Sequence, residues 1–243
     1  MNSLVLLCGP VHRPLRVQTL QAAGARVISL IPSSLPADPE AISVDIPAAW
    51  LPEDPDMTIH QKTWHKADAL PLAAIAAADL RADFYWIIES DCAAPTERWA
   101  ALFSDWEQDP ADGVFFRPQS RLMTAWNPWW ESTPAWAGWT HLNAIYRLSA
   151  AAVQASIAAA EEMRNVFCEM TCASVLQRAG LTIGSLNARQ THANCQTMKA
   201  KPEAVILNRR LINHPVKEDS FGLDGIRSRW DRPAPALTPP GEV

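Results

Sequence analysis

Two carboxylates at the end of an apolar run, Glu89 and Asp91, are the residues of this chain best placed to do chemistry. They close the segment Tyr85-Trp86-Ile87-Ile88-Glu89-Ser90-Asp91-Cys92, whose aromatic and β-branched residues suit a buried strand. In an extended chain, residues two apart project to the same side, so the pair points one way. Such a strand end can hold a hard divalent cation, with substrate phosphates and water completing the shell. The plainer alternative is a strand that ends at a polar loop.

The elements that must position this pair follow from pattern. Leu4 to Cys8 reads as a first strand running into a Gly9-Pro10 turn, then a helix from Pro14 to Ala23 that stops at Gly24. Arg26 to Ile31 is a second strand, closed by Pro32, and the Pro-rich stretch to Asp56 is loop with a short strand at Ile42 to Ile46. Asp68 is expected to cap a helix to Arg81, with Pro71 tolerated in the first turn. After the carboxylate strand, Thr96 begins a helix with Trp99, Leu102, Phe103 and Trp106 on one face. Gly113 to Arg117 and Leu142 to Arg147 are strands, and Ser149 caps a helix to Met163. A helix from Cys168 to Gly180 and a strand from Leu181 to Leu186 follow, with a late strand at Ala204 to Leu207. Strands alternating with helices predict an α/β sheet with crossover connections. From Pro233 to Val243, Pro and small residues without periodicity suggest a disordered tail.

Composition narrows the function classes. The 243 residues carry a net charge of −5 without a strongly basic stretch, so nucleic acid is not an expected partner. The N-terminus lacks a basic region, and the Ala/Leu-rich stretch from Ala69 to Leu80 is too short to span a bilayer. The chain is therefore expected to be soluble and cytoplasmic. Five Cys without a Cys-x-x-Cys pair argue against a zinc cluster or disulfide framework. Phosphate-loop and dinucleotide glycine fingerprints are missing, as is the Gly-rich first turn of sugar nucleotidyltransferases.

The order of these features, from Leu4 to Lys217, resembles a GT-A fold glycosyltransferase, the nucleotide-sugar-dependent kind. The resemblance implies a single Rossmann-like domain over residues 1–232, with a mainly parallel sheet flanked by helices. Pro10 and Arg13 stand where an Arg-bearing loop helps hold the nucleotide, and Lys62 lies in the Lys-containing segment that precedes the next helix. Glu89-Ser90-Asp91 occupies the Asp-x-Asp position, leaving Glu89 open between ribose contact and indirect metal contact. Glu169, in Phe167-Cys168-Glu169-Met170, matches an acidic residue that serves as catalytic base. Asn213-His214-Pro215-Val216-Lys217 resembles a late element in which His214 would join Asp91 as metal ligand and Lys217 would face the diphosphate.

The residues support parts of this reading on their own chemistry. A neutral imidazole beside Asp91 suits Mn²⁺ better than Mg²⁺, although either ion is admitted. Glu169 shares a helical stripe with Cys172, Leu176 and Ala179, so it is expected to face inward. Its competing role is to stabilise a helix N-terminus, which would weaken it as a base. Five of eleven Trp fall between Trp126 and Trp139, and Trp129, Trp130, Trp136 and Trp139 could wall a sugar site or plug a core. The expected function is metal-dependent transfer of a sugar, UDP-linked in the first instance, to a glycan or other hydroxyl acceptor. With Glu169 as base the transfer inverts the anomeric centre; a retaining enzyme would not need it. The alternatives are an inactive glycan- or nucleotide-binding module, or another metal-dependent nucleotide enzyme.

Overall fold

Leu4 to Cys8 is apolar at every position, so it can sit at the centre of a sheet covered on both faces. In the computed structural model, which describes residues 2–120, 133–186, 193–194 and 212–214, it lies in β1 (Ser3–Cys8). Helix α1 (Pro14–Ala22) follows, then β2 (Arg26–Pro32), β3 (Ile42–Val44), α2 (Ile59–His65) and α3 (Ala69–Ala78). The carboxylate strand is β4 (Phe84–Glu89), followed by α4 (Thr96–Trp106), β5 (Gly113–Ser120) and β6 (Trp139–Ser149). Helices α5 (Ala150–Ala159) and α6 (Cys168–Arg178) precede the short strands β7 (Ile183–Ser185), β8 (Ala193–Asn194) and β9 (Ile212–Asn213).

Seven strands form one sheet in the order β3-β2-β1-β4-β6-β5-β7. All are mutually parallel except β6, which runs antiparallel to both β4 and β5. The mainly parallel α/β sheet expected from the alternation is therefore present. Helices α3, α5 and α6 cover one face, where Leu4, Leu6, Tyr85, Ile87 and Tyr146 meet Leu72, Val153 and Leu176. Helices α1 and α4 cover the other, where Val5, Leu7, Trp86 and Ile88 meet Leu20, Trp99, Leu102 and Trp106. Because the chain leaves β1 for β2 on one side and reaches β4 on the other, the order reverses between β1 and β4. Open α/β sheets bind ligands outside the strand C-termini at such a reversal.

Several expectations are adjusted. Asp68 does not cap α3; its own backbone is helical, and its carboxylate pairs with Lys66 instead. Helix α3 ends at Ala78 because Asp79 turns left-handed, at φ 48°. Helix α2, which lies between the expected loop and the expected helix, is opened by a reciprocal Thr58–Gln61 capping box. Ser149 caps α5 as expected, through the Ala152 N–H, but the regular helix stops at Ala159. Ala179 is exposed, so the inward stripe of α6 ends at Leu176. The expected strand at 204–207 and the tail from Pro233 lie outside the described residues. Cys8, Cys92, Cys168 and Cys172 are buried free thiols.

Candidate functional site

The C-terminal ends of β1 and β4 are fastened together, which fixes where the two carboxylates point. Cys8 pairs with Glu89 in register, and the Ser90 N–H donates to the Cys8 carbonyl at 2.7 Å. Ser90 lies so close to Gly9 that a Cβ there would sit 1.8 Å from its Oγ and 2.7 Å from its Cβ. Glycine is thus required at position 9 by close approach. The chain then turns through a Cys92 N–H to Glu89 carbonyl bond of 2.9 Å, leaving Asp91 at the strand mouth with 8% exposure.

His214 reaches this point from far along the chain. Ile212 in β9 is buried in the core beneath α1 and α4, and β9 pairs in parallel with β8. The imidazole that follows places Nε2 2.6 Å from Glu89 Oε2 and 3.1 Å from Asp91 Oδ1. One ligand atom from each of the three residues lies within 4.8 Å of the others. Burial alone would push the His214 pKa down, but hydrogen bonds to Asp91 and Glu89 and their charges raise it to about 9. Without a metal, the imidazolium is therefore the counter-ion of the carboxylate pair.

The donor set fits a divalent cation. Neighbouring ligands of an octahedral ion at about 2.1 Å stand about 3.0 Å apart, close to the Asp91–His214 distance. The closer Glu89–His214 approach matches a hydrogen bond better than a shared coordination sphere. Asp91 and His214 are therefore the stronger candidates for direct ligation, with Glu89 beside them.

Glu169 belongs to the same charged group. It lies in the first turn of α6 and is half-buried. Its pKa is raised to about 7, chiefly by desolvation; the Asn143 backbone N–H opposes this, the Glu89 charge adds to it, and His214 opposes it. The weakening of the base expected from a helix N-terminus is thus outweighed by burial. A carboxyl group that titrates near neutrality is well matched to proton transfer at physiological pH.

The other expected residues divide. Pro10 is exposed in the turn after β1, and Arg13 is buried at the start of α1, where its carbonyl accepts the Arg16 and Val17 N–H groups. Lys62 is half-buried on α2. His12 is held by Ser29 Oγ at 2.9 Å and Glu40 at 3.2 Å. Trp136 packs on the α5–α6 cluster with Arg178 over its ring at 3.8 Å, and Trp139 packs against the main core. Both are partly buried and engaged in packing. Trp129, Trp130 and Lys217 lie outside the described residues.

Sequence reasoning missed Lys66. Only 2% exposed, its Nζ donates to Asp68 at 3.1 Å, to Thr171 Oγ1 at 2.9 Å and to the Val166 carbonyl at 3.3 Å. It thereby ties the α2–α3 junction to the start of α6, which carries Glu169. The spacing Lys66-x-Asp68 was visible, but its partners are about a hundred residues away.

No family model matches the chain, and no curated protein does. Solved structures with a similar course of the chain include a glycosyltransferase involved in glycosylating the major capsid of PBCV-1. It is 9% identical with a TM-score of 0.45, and the match covers 92% of this chain and 99% of that one. Glucosyl-3-phosphoglycerate synthase from Mycobacterium tuberculosis, in complex with Mg²⁺ and UDP, is 17% identical with a TM-score of 0.42 over 96% and 80%. A CMP:2-keto-3-deoxy-manno-octonic acid synthetase with bound CTP is 14% identical with a TM-score of 0.39 over 76% and 89%. At these scores the likeness transfers no functional residue, and the chemistry rests on this chain's own side chains. Among the described residues, no helix is long and apolar enough to cross a membrane.

Proposed function

We propose that the chain is a metal-dependent, GT-A-like glycosyltransferase that moves a sugar from a nucleoside-diphosphate donor to a hydroxyl acceptor. The observation that carries this reading is the meeting of His214 with Glu89 and Asp91 at the strand-order reversal. Two neighbouring carboxylates and an imidazole more than a hundred positions along the chain make one N/O donor set where such sheets bind ligands. Asp91 and His214 would hold Mn²⁺ or Mg²⁺, with Glu89 bonding to the ribose or to a metal-bound water. When bound, the ion would neutralise the diphosphate and help it leave. Pro10, Arg13 and Lys62 would border the nucleotide, and Lys217 would add positive charge.

Glu169 would take the proton from the acceptor hydroxyl as that oxygen bonds to the anomeric carbon and the bond to the diphosphate breaks. A single displacement of this kind inverts the anomeric centre. Its support is a half-buried carboxyl group beside Glu89 and His214 that titrates near neutrality.

The test is incubation of the full chain with UDP-, GDP- and dTDP-sugars, with and without Mn²⁺. Metal-dependent release of a nucleoside diphosphate, lost in Asp91→Ala, is expected. Release of pyrophosphate or inorganic phosphate would instead indicate another nucleotide enzyme. Metal-dependent binding with neither release nor transfer would indicate a binding module.

A further inference from the structure

Trp64 is the most exposed large hydrophobic side chain among the described residues, at 56%. It is nevertheless held in place. Its ring is tilted against Phe167 at 5.4 Å, and Phe167 is the N-cap residue of α6, two positions before Glu169. Two residues after Trp64, buried Lys66 donates to Val166 and Thr171, which flank Phe167 and Glu169 in the chain. The exposed indole and the carboxylate are therefore mounted on one rigid junction.

We propose that Trp64, backed by Phe167, is the stacking platform for the acceptor, and that the acceptor presents a pyranose ring. This rests on the glycosyltransferase reading and names its acceptor class. An aromatic side chain buries about 150–250 Å², whereas a stable protein interface takes about 800 Å² from each partner. The neighbours of Trp64 on α2, His60, Gln61, Lys62 and Thr63, are polar. Ile59 is exposed but stands five residues away, on a different side of a helix with 3.6 residues per turn. One flat apolar face among polar groups matches the C–H face of a sugar, whose edge carries hydroxyls. One such hydroxyl is what Glu169 would deprotonate. Trp136 and Trp139 are engaged in packing, so Trp64 is the described Trp best placed for this task.

Saturation-transfer NMR on the full chain with Mg²⁺ and UDP tests the proposal. The probes are methyl β-D-glucopyranoside, methyl β-D-galactopyranoside and methyl α-D-mannopyranoside. At least one should receive saturation through the C–H protons of one ring face. Its affinity should fall about tenfold in Trp64→Ala, the loss of one aromatic contact. Trp64→Phe should retain part of it, and Ile59→Ala all of it. Three silent probes with UDP and metal still bound would overturn the platform, as would equal binding by Trp64→Ala. Loss of UDP rather than glycoside binding in Trp64→Ala would overturn it too, making Trp64 a donor residue. A dimer that dissociates in Trp64→Ala would overturn it in favour of an interface between copies. Failure of metal and UDP to bind at all would defeat the glycosyltransferase reading separately, since the glycoside signal and its Trp64 dependence are also recorded in a second sample that lacks both.

Discussion

Protons should compete with the cation for His214, and the competition should be measurable well above the range where carboxylates titrate. With a pKa of about 9 in the metal-free chain, His214 at pH 7 is protonated in a ratio of about 100 to 1. An ion that uses Nε2 must displace that proton. Its apparent affinity at pH 7 should lie about 100-fold below the limit reached above pH 9, a difference of about 2.7 kcal/mol. Between those points it should climb about tenfold per pH unit, because one proton is exchanged for one ion. Calorimetric titration with Mn²⁺ from pH 6.5 to 8.5, in two buffers of different ionisation enthalpy, gives both the affinity and the protons released. Close to one proton per ion is expected, and His214→Ala should bind weakly with a flat profile. Equal affinity at pH 6.5 and 8.5, with no proton released, would leave His214 as a mere ion-pair partner of Glu89 and Asp91.

Glu169→Gln should lower transfer about 10²–10⁴-fold with donor affinity kept; near-normal turnover at saturating donor would remove the base and favour a retaining mechanism. The same variant should be more stable than its parent above pH 7. Glu169 has its folded pKa raised from 4.5 to about 7, so its favourable contribution is complete below pH 4.5 and lost as pH rises through 7. Melting temperatures at pH 5 and pH 8 check this, the difference being larger at pH 8. Lys66→Met leaves Asp68 buried without its partner, at 1% exposure, and should cost about 3–5 kcal/mol in denaturant unfolding. Gly9→Ala forces a methyl group into Ser90 and should cost about 1–3 kcal/mol. It should also weaken Mn²⁺ binding, because Ser90 lies between the two carboxylates.

The strand carrying the carboxylates was legible because its signal is local: an apolar run fully buried on both faces, cut off by acids. The stop of α1 before Gly24 was legible for the same reason, since φ there is +90°. The Thr58–Gln61 capping box was equally local and was overlooked, because the Pro-rich stretch before it reads as continuous loop. Asp68 misled because an acid before an apolar helix has a default role, and nothing local reveals that Lys66 claims it. The antiparallel course of β6 was hidden for a related reason. Leu142 to Arg147 shows that it is a strand, while its direction depends on register with Ile88 and Phe115. At the site, residue types and order pointed to Asp91, Glu169 and His214, but only the fold brings His214 to the carboxylates. The neutral-range titration of Glu169 comes from burial by distant elements, which overrides the local helix-terminus effect.

The central claim is that Asp91 and His214 share a divalent cation that anchors a nucleoside diphosphate. A crystal structure of the full chain grown with Mn²⁺ and UDP, with data collected at the manganese edge, tests it most directly. The account predicts one anomalous peak about 2.0–2.3 Å from an Asp91 carboxylate oxygen and His214 Nε2, with diphosphate oxygens completing its shell. An imidazole still bridging Glu89 and Asp91 at saturating Mn²⁺, with no peak between them, would contradict it.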